Sequence, residues 1–125
     1  MSENNEHPPR DVLPNDRVAP AAARQSHRFH RDFLEQVQAA VAKDHVVVVG
    51  MGQNPVVRRA KSALKAAGIA FTSVDHGNYL FGYRRRLAIK MWTGFPTFPQ
   101  VFVDGVLIGG HHELKLMLTA GQLKA

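Results

Sequence analysis

The sequence predicts an α/β fold in which a four-stranded mixed sheet carries helices on both faces. Three observations predict it. The run Val46-Val47-Val48-Val49 is short, continuous and β-branched, as a central strand buried on both faces would be. Helical and strand periodicities alternate around it in the order α-β-α-β-α-β-β-α. Asp104-Gly105, set between two apolar runs, is the strongest short hairpin signal in the chain. Two crossovers followed by a hairpin place helices on both sides of one sheet.

Each element has its own reason. Residues 1–25 hold four of the seven prolines and no aromatic side chain, so they bury too little to offset the entropy of ordering. They are expected to be a disordered tail, with the folded domain over 26–125. From Ser26 to about Ala42 the apolar residues Phe29, Phe33, Val37 and Val41 recur every fourth position, and one helix is expected there. The valine run follows as the first strand. Pro55 to Ala67 reads as a helix with Val57, Ala60, Leu64 and Ala67 inward and Gly68 as its stop. Ile69 to Val74 reads as the second strand, closed by Asp75-His76-Gly77-Asn78. A helix is expected from Tyr79 to about Met91, with Leu80, Tyr83, Leu87 and Met91 on one side. Gln100–Val103 and Val106–Ile108 are the hairpin strands, and Gly109-Gly110 leads into a last helix from His112 to about Thr119, ended by Gly121.

Composition narrows the function. The chain has 125 residues, a formal net charge of +6 and no cysteine. Zero cysteine excludes disulfides, thiolate nucleophiles and cysteine-ligated metal or iron–sulfur sites. No apolar run has the length of a membrane span, and the polar, proline-rich start lacks the apolar segment of a secretory signal, so a cytoplasmic address is expected. The basic residues are dispersed over several elements and aromatic content is ordinary, so nucleic acid is disfavoured as a partner. Seven histidines include the pairs His111-His112 and His27-x-x-His30, but no carboxylate cluster accompanies either, and no functional metal site is expected. Arg84-Arg85-Arg86 fan around a helix rather than forming a stripe; a solvated face with Arg86 turned to the site is expected. Trp92, at a helix end, reads as a core anchor.

The turn Gly50-Met51-Gly52-Gln53-Asn54-Pro55-Val56-Val57 joins the first strand to its helix. Asn is among the best N-cap residues and Pro is favoured at the first helical position, so Asn54-Pro55 starts the helix. The Asn54 carbonyl oxygen is expected to accept from a first-turn amide, taking the place that an anion could otherwise occupy.

Three motifs in order resemble the glutaredoxin family, on a thioredoxin-type fold, over about Phe29 to Leu123. The first is this strand-turn-helix, where the family carries Cys-Pro-Tyr-Cys, or Cys-Gly-Phe-Ser in its monothiol branch; Asn54-Pro55-Val56-Val57 stands there. The second is Trp92-Thr93-Gly94-Phe95-Pro96-Thr97-Phe98-Pro99-Gln100, similar to the monothiol Trp-Pro-Thr-Phe-Pro-Gln. The third is Val103-Asp104-Gly105-Val106-Leu107-Ile108-Gly109-Gly110, like the family's hairpin and double glycine. The resemblance implies that Pro99 is a cis proline and that the Phe98 backbone faces a peptide-like ligand, pairing with it in strand fashion.

The departures carry the functional message. Asn54 stands where the family has its nucleophilic cysteine, and Val57 where a second cysteine would resolve a mixed disulfide, so thiol–disulfide exchange by the chain has no route. A cluster held through that cysteine is excluded too. Met51 replaces the lysine before the turn, and His112 the Asp after the double glycine. Arg86, the Thr97-Phe98-Pro99 backbone, Gly109 and Gly110 match the family's remaining ligand positions. The expected ligand set is thus Met51, Asn54, Arg86, Thr97, Phe98, Pro99, Gly109, Gly110 and His112, with no catalytic residue and no metal. The implied function is non-catalytic binding of glutathione or a protein partner at the groove beside Pro99, with glutathione the one implied cofactor. Two alternatives stand beside it: glutathione-dependent oxidoreductase chemistry through the thiol of bound glutathione, and a basic interaction module for protein or nucleic acid.

Overall fold

A computed structural model describes residues 7–51, 53–75 and 82–125. Its elements are α1 (Pro20–Arg28), α2 (Arg31–Lys43), β1 (Val46–Gly50), α3 (Pro55–Ala66), β2 (Thr72–Asp75), α4 (Tyr83–Thr93), β3 (Gln100–Val103), β4 (Val106–Gly109) and α5 (His111–Thr119). The sheet order is β2-β1-β3-β4. β1 runs parallel to β2, with Val48 opposite Ser73, and antiparallel to β3, with Val48 opposite Val101. The β3–β4 hairpin turns at Asp104 and Gly105, with φ of 50° and 81°, the doubly left-handed turn that the Asp-Gly pair favours.

The valine run divides the core between two faces, because successive strand residues point to opposite sides. Val46 and Val48 pack with Val57, Ala60 and Leu64 of α3, Val101 of β3 and Leu114 of α5. Val47 and Val49 pack with Phe33, Val37 and Val41 of α2, Ile89 of α4 and Phe102 of β3. Helices therefore cover both faces, as the sequence predicts.

Four local expectations need correction. The single helix expected over Ser26–Ala42 is two helices, broken at Phe29-His30, where His30 has φ 47°. The apolar period belongs to α2; α1 before it buries no residue. Residues 20–25, assigned to the tail by composition, are helical: Pro20 sits in the first turn and a run of alanines follows it. Further back, Arg10 donates to the Thr93 carbonyl at 2.9 Å, at the end of α4. The second strand begins at Thr72 rather than Ile69, whose side chain is nevertheless buried in the core.

The fourth correction concerns α4. Periodicity places Tyr83, Leu87 and Met91 on one packed side, but they are 57%, 46% and 48% exposed; Ala88 and Ile89 are the buried residues. The arginines explain the rotation. Arg84 lies over the Phe29 ring at 5.0 Å and Arg85 over the Phe33 ring at 5.4 Å, so their guanidinium groups cover aromatic faces of the α1–α2 layer. The expected solvated arginine face is therefore partly a packing surface. Leu80 and the helix start expected at Tyr79 lie outside the described residues, as do His76, Gly77 and Asn78. Trp92 stacks on Phe102 with ring centroids 5.8 Å apart, the anchoring role expected of it. Among the described residues no helix is long and apolar enough to cross a membrane.

Candidate functional site

Strand directions assemble the site. The C-terminal end of β1, the N-terminal end of β3 and the C-terminal end of β4 meet at one end of the sheet, because β3 is antiparallel to both neighbours. There β1 leads into the Asn54 turn, Phe98-Pro99 leads into β3, and Gly109-Gly110 leads out of β4. Residues from three separate stretches of sequence are brought together by topology alone.

The Asn54 turn is built as its sequence predicts. Asn54 is the N-cap of α3, and its Oδ1 accepts from the Val56 amide at 2.8 Å and the Val57 amide at 3.3 Å. Pro55 begins the helix. The first turn of α3 thus has its amide donors engaged by the Asn54 side chain. Val57, at the family's second cysteine position, is fully buried and packs on β1: a Cβ placed on Gly50 would lie 2.7 Å from its Cγ2. Its side chain belongs to the core and not to the groove. Met51 is likewise only 4% exposed, so the candidate at the lysine position turns its side chain into the protein.

On the opposite wall the Phe98–Pro99 peptide is cis. The Phe98 backbone N–H and C=O make no hydrogen bond among the described residues. Pro99 is fully buried, whereas Thr97 is exposed. Arg86 of α4 reaches this wall, lining a small cavity with Phe33, Val49, Gly50, Val74, Ile89 and Phe98. The Lys90 ammonium stands 5.7 Å from the centroid of the Phe98 ring.

The third wall is the double glycine. Gly109 has φ 125°, which an L side chain rarely adopts, and Gly110 passes so close to β3 that a Cβ there would lie 3.3 Å from the Pro99 carbonyl oxygen. The Gly110 amide donates to Glu113 Oε1 at 2.7 Å, so the carboxylate of Glu113 folds back over the start of α5. His112 is exposed on the first turn of that helix. The Nδ1 of its neighbour His111 is buried with no hydrogen-bond partner among the described residues. His27 lies on α1 and His30 at the break after it, so these two do not share one continuous helix.

Of the sequence-predicted set, Asn54, Arg86, Thr97, Phe98, Pro99, Gly109, Gly110 and His112 come to this end of the sheet. Met51 comes there as a buried side chain. Two neighbours of the site were missed. The Gly110-x-x-Glu113 spacing is a capping signal readable in the sequence. For Lys90 the signal is its place four residues after Arg86, on the same helix face, while the packing of α4 is what brings it over Phe98.

The comparisons agree with this geometry. A glutaredoxin family model matches residues 47–108, from β1 through β4. A glutaredoxin-like protein of Dictyostelium discoideum is 43% identical over 95 residues, covering 76% of this chain and 77% of that protein. A probable monothiol glutaredoxin 2 of Rickettsia prowazekii is 31% identical over 96 residues, covering 73% and 87%. The structure of a buckwheat glutaredoxin–glutathione complex superposes with a TM-score of 0.67 at 24% identity, over 77% of this chain and 87% of that one, and shares the fold. Wheat glutaredoxin superposes at 0.64 with 26% identity, over 74% and 88%. With a thioredoxin-like sheet, its two covered faces and relatives of this closeness, this cysteine-free chain belongs to the glutaredoxin family.

Proposed function

We propose that the protein is a non-catalytic binding domain whose groove, between the Asn54 turn, Phe98-Pro99 and Gly109-Gly110, takes a short peptide-like ligand, with glutathione the first candidate. The observation that carries this reading is the Phe98 backbone, an N–H and a C=O unpaired among the described residues where the β3 ladder stops. Such a pair is what an extended peptide needs to add itself in strand fashion. Gly110 supports the reading, because its missing side chain keeps the opposite wall close to Pro99. The chain supplies no thiol, so its own residues bind and orient the ligand and transfer no electrons to a disulfide. The buckwheat relative was solved as a complex with glutathione, which makes the tripeptide the natural probe.

The test is titration of reduced glutathione into isotope-labelled protein, read by amide NMR shifts. Shifts at Asn54, Phe98, Gly109 and Gly110 with a dissociation constant below about 1 mM are expected. Unmoved amides at roughly 5 mM ligand would sink the glutathione reading.

A further inference from the structure

The α1 helix is nine residues long and buries no residue of its own. A helix of that length is marginal in water, because most helical stability in proteins comes from packing one face against a neighbour. Where α1, α2 and α4 meet, they leave an open hollow of about 260 Å³, with His27, Phe29, Leu34, Ala88, Met91 and Trp92 among its walls. None of these is a residue of the groove. Met91 belongs also to an exposed apolar stripe, in which Tyr83, Leu87 and Met91 follow one another at four-residue steps along α4.

The charge on this surface has one sign on two of its three helices. α1 contains Arg24 and Arg28 and no acidic residue, and α4 contains no acidic residue either. Arg24, Arg28 and Arg84 are exposed, and none of the ion pairs among the described residues includes them. On α2 the Glu35 carboxylate is already engaged by Arg31 at 3.2 Å, and Asp32 lines a separate hollow with Arg28 and Arg85. A second copy of this chain is therefore a poor occupant, because a symmetric pair would set the same arginines against each other. A phosphate backbone would meet the arginines but leave the apolar hollow and stripe uncovered.

We propose that the α1–α4 surface is a docking site for an acidic amphipathic helix of a partner protein. An aromatic or branched aliphatic side chain of that helix fills the hollow beside Met91 and Trp92, and its apolar face covers Tyr83 and Leu87. Its flanking carboxylates meet Arg24, Arg28 and Arg84. Docking gives α1 the buried face that it lacks in the free chain. The hollow shares no residue with the groove, so the proposal stands or falls apart from the peptide-binding reading.

The probe is a synthetic amphipathic peptide of about 16 residues, with Leu and Phe on one helical face and Glu on its flanks, titrated into the isotope-labelled full chain. Amide shifts at His27, Leu87, Ala88 and Met91 with a dissociation constant below about 100 µM are expected, together with slower hydrogen exchange in α1. The same peptide with Lys in place of Glu should bind at least about tenfold more weakly. Joint substitution of Arg24→Glu and Arg28→Glu should weaken the acidic peptide about tenfold, and Met91→Ser, remote from α1 in sequence, about fivefold. Unmoved α1 and α4 amides at roughly 1 mM acidic peptide overturn the proposal. Equal affinity for the Glu and Lys peptides overturns it too, as does equal affinity of wild type and Met91→Ser for the acidic peptide. Shifts at the same amides on concentrating the protein alone, or on adding duplex RNA, with the peptide inert, would assign the surface to self-association or to nucleic acid and overturn it as well.

Discussion

The contact between Gly50 and Val57 seats the first turn of α3, and with it Asn54, on the end of β1. Gly50 sits in an ordinary backbone conformation, so Gly50→Ala would bring no φ strain and would gain ~0.5 kcal/mol from a stiffer unfolded chain. Its new methyl would, however, lie 2.7 Å from Val57 Cγ2 and 3.3 Å from Cγ1. Val57 is fully buried and has no open side to move toward. Overpacking of that kind costs ~2 kcal/mol, leaving a net destabilisation of ~1.5 kcal/mol. Val57→Ala removes two buried methyls at ~0.8 kcal/mol each and leaves a small void, for ~2 kcal/mol in all. The double variant should be close to ~1.5 kcal/mol, well short of the ~3.5 kcal/mol sum, because the methyl added on β1 enters the space the valine vacates. Urea denaturation followed by circular dichroism gives all four corners of this cycle, read as midpoints at a constant m. Additivity of the two single variants within ~0.5 kcal/mol would refute the reasoning, since it would mean the two side chains do not compete for one volume.

Two further outcomes follow from the same structure. Asn54→Ala removes the oxygen that receives the Val56 and Val57 amides and should cost ~1 kcal/mol in the same urea assay, with Asn54→Asp retaining most of the stability. At the other end of the sheet, His45 Nδ1 lies 2.6 Å from Asp104 Oδ1 and Nε2 lies 2.7 Å from the Lys124 carbonyl oxygen. Both partners accept, so the doubly protonated ring satisfies both, and the hydrogen bond to Asp104, then the one to Lys124, raise the His45 pKa above its ordinary 6.5. A raised folded-state value means that this stability is complete below about pH 6.5 and is lost as pH climbs through the folded value. The wild-type urea midpoint should therefore fall across that window relative to His45→Gln; parallel pH profiles for the two proteins would argue against a stabilising role for the His45 contacts.

What could be read from the sequence, and what could not, divides along the range of the interaction. β1, the Asp104-Gly105 hairpin and the Asn54-Pro55 helix start were legible because each rests on neighbours in sequence: a β-branched run, a turn dipeptide, a cap two residues from its amide. The break at His30 was not, because Phe29 continues the apolar period of α2 and periodicity carries no sign of a left-handed residue within it. The face of α4 was misread for a related reason. Hydrophobicity assigns Tyr83, Leu87 and Met91 inward, but the guanidinium groups of Arg84 and Arg85 find aromatic rings on α1–α2 that no local pattern announces. Met51 shows the limit of a motif: its position matches a ligand-binding lysine, while its burial gives it to the core.

Both helix starts at the groove are satisfied from within the chain. A helix N-terminus attracts anions through its unpaired amides. At α3 those amides are engaged by Asn54 Oδ1, and at α5 the Glu113 carboxylate sits on the Gly110 amide, bringing negative charge to the place where a ligand carboxylate would otherwise approach. Each start is therefore satisfied from within the chain and is a weaker lure for an anion than the fold alone would provide. The Phe98 backbone is not satisfied in this way among the described residues, and Arg86 and Lys90 stand beside it. Under the proposed peptide-binding role, a ligand that pairs with Phe98 would be held more by that backbone than by either helix start, so substitution of His112, whose helix start already holds a carboxylate of its own, should change its affinity little.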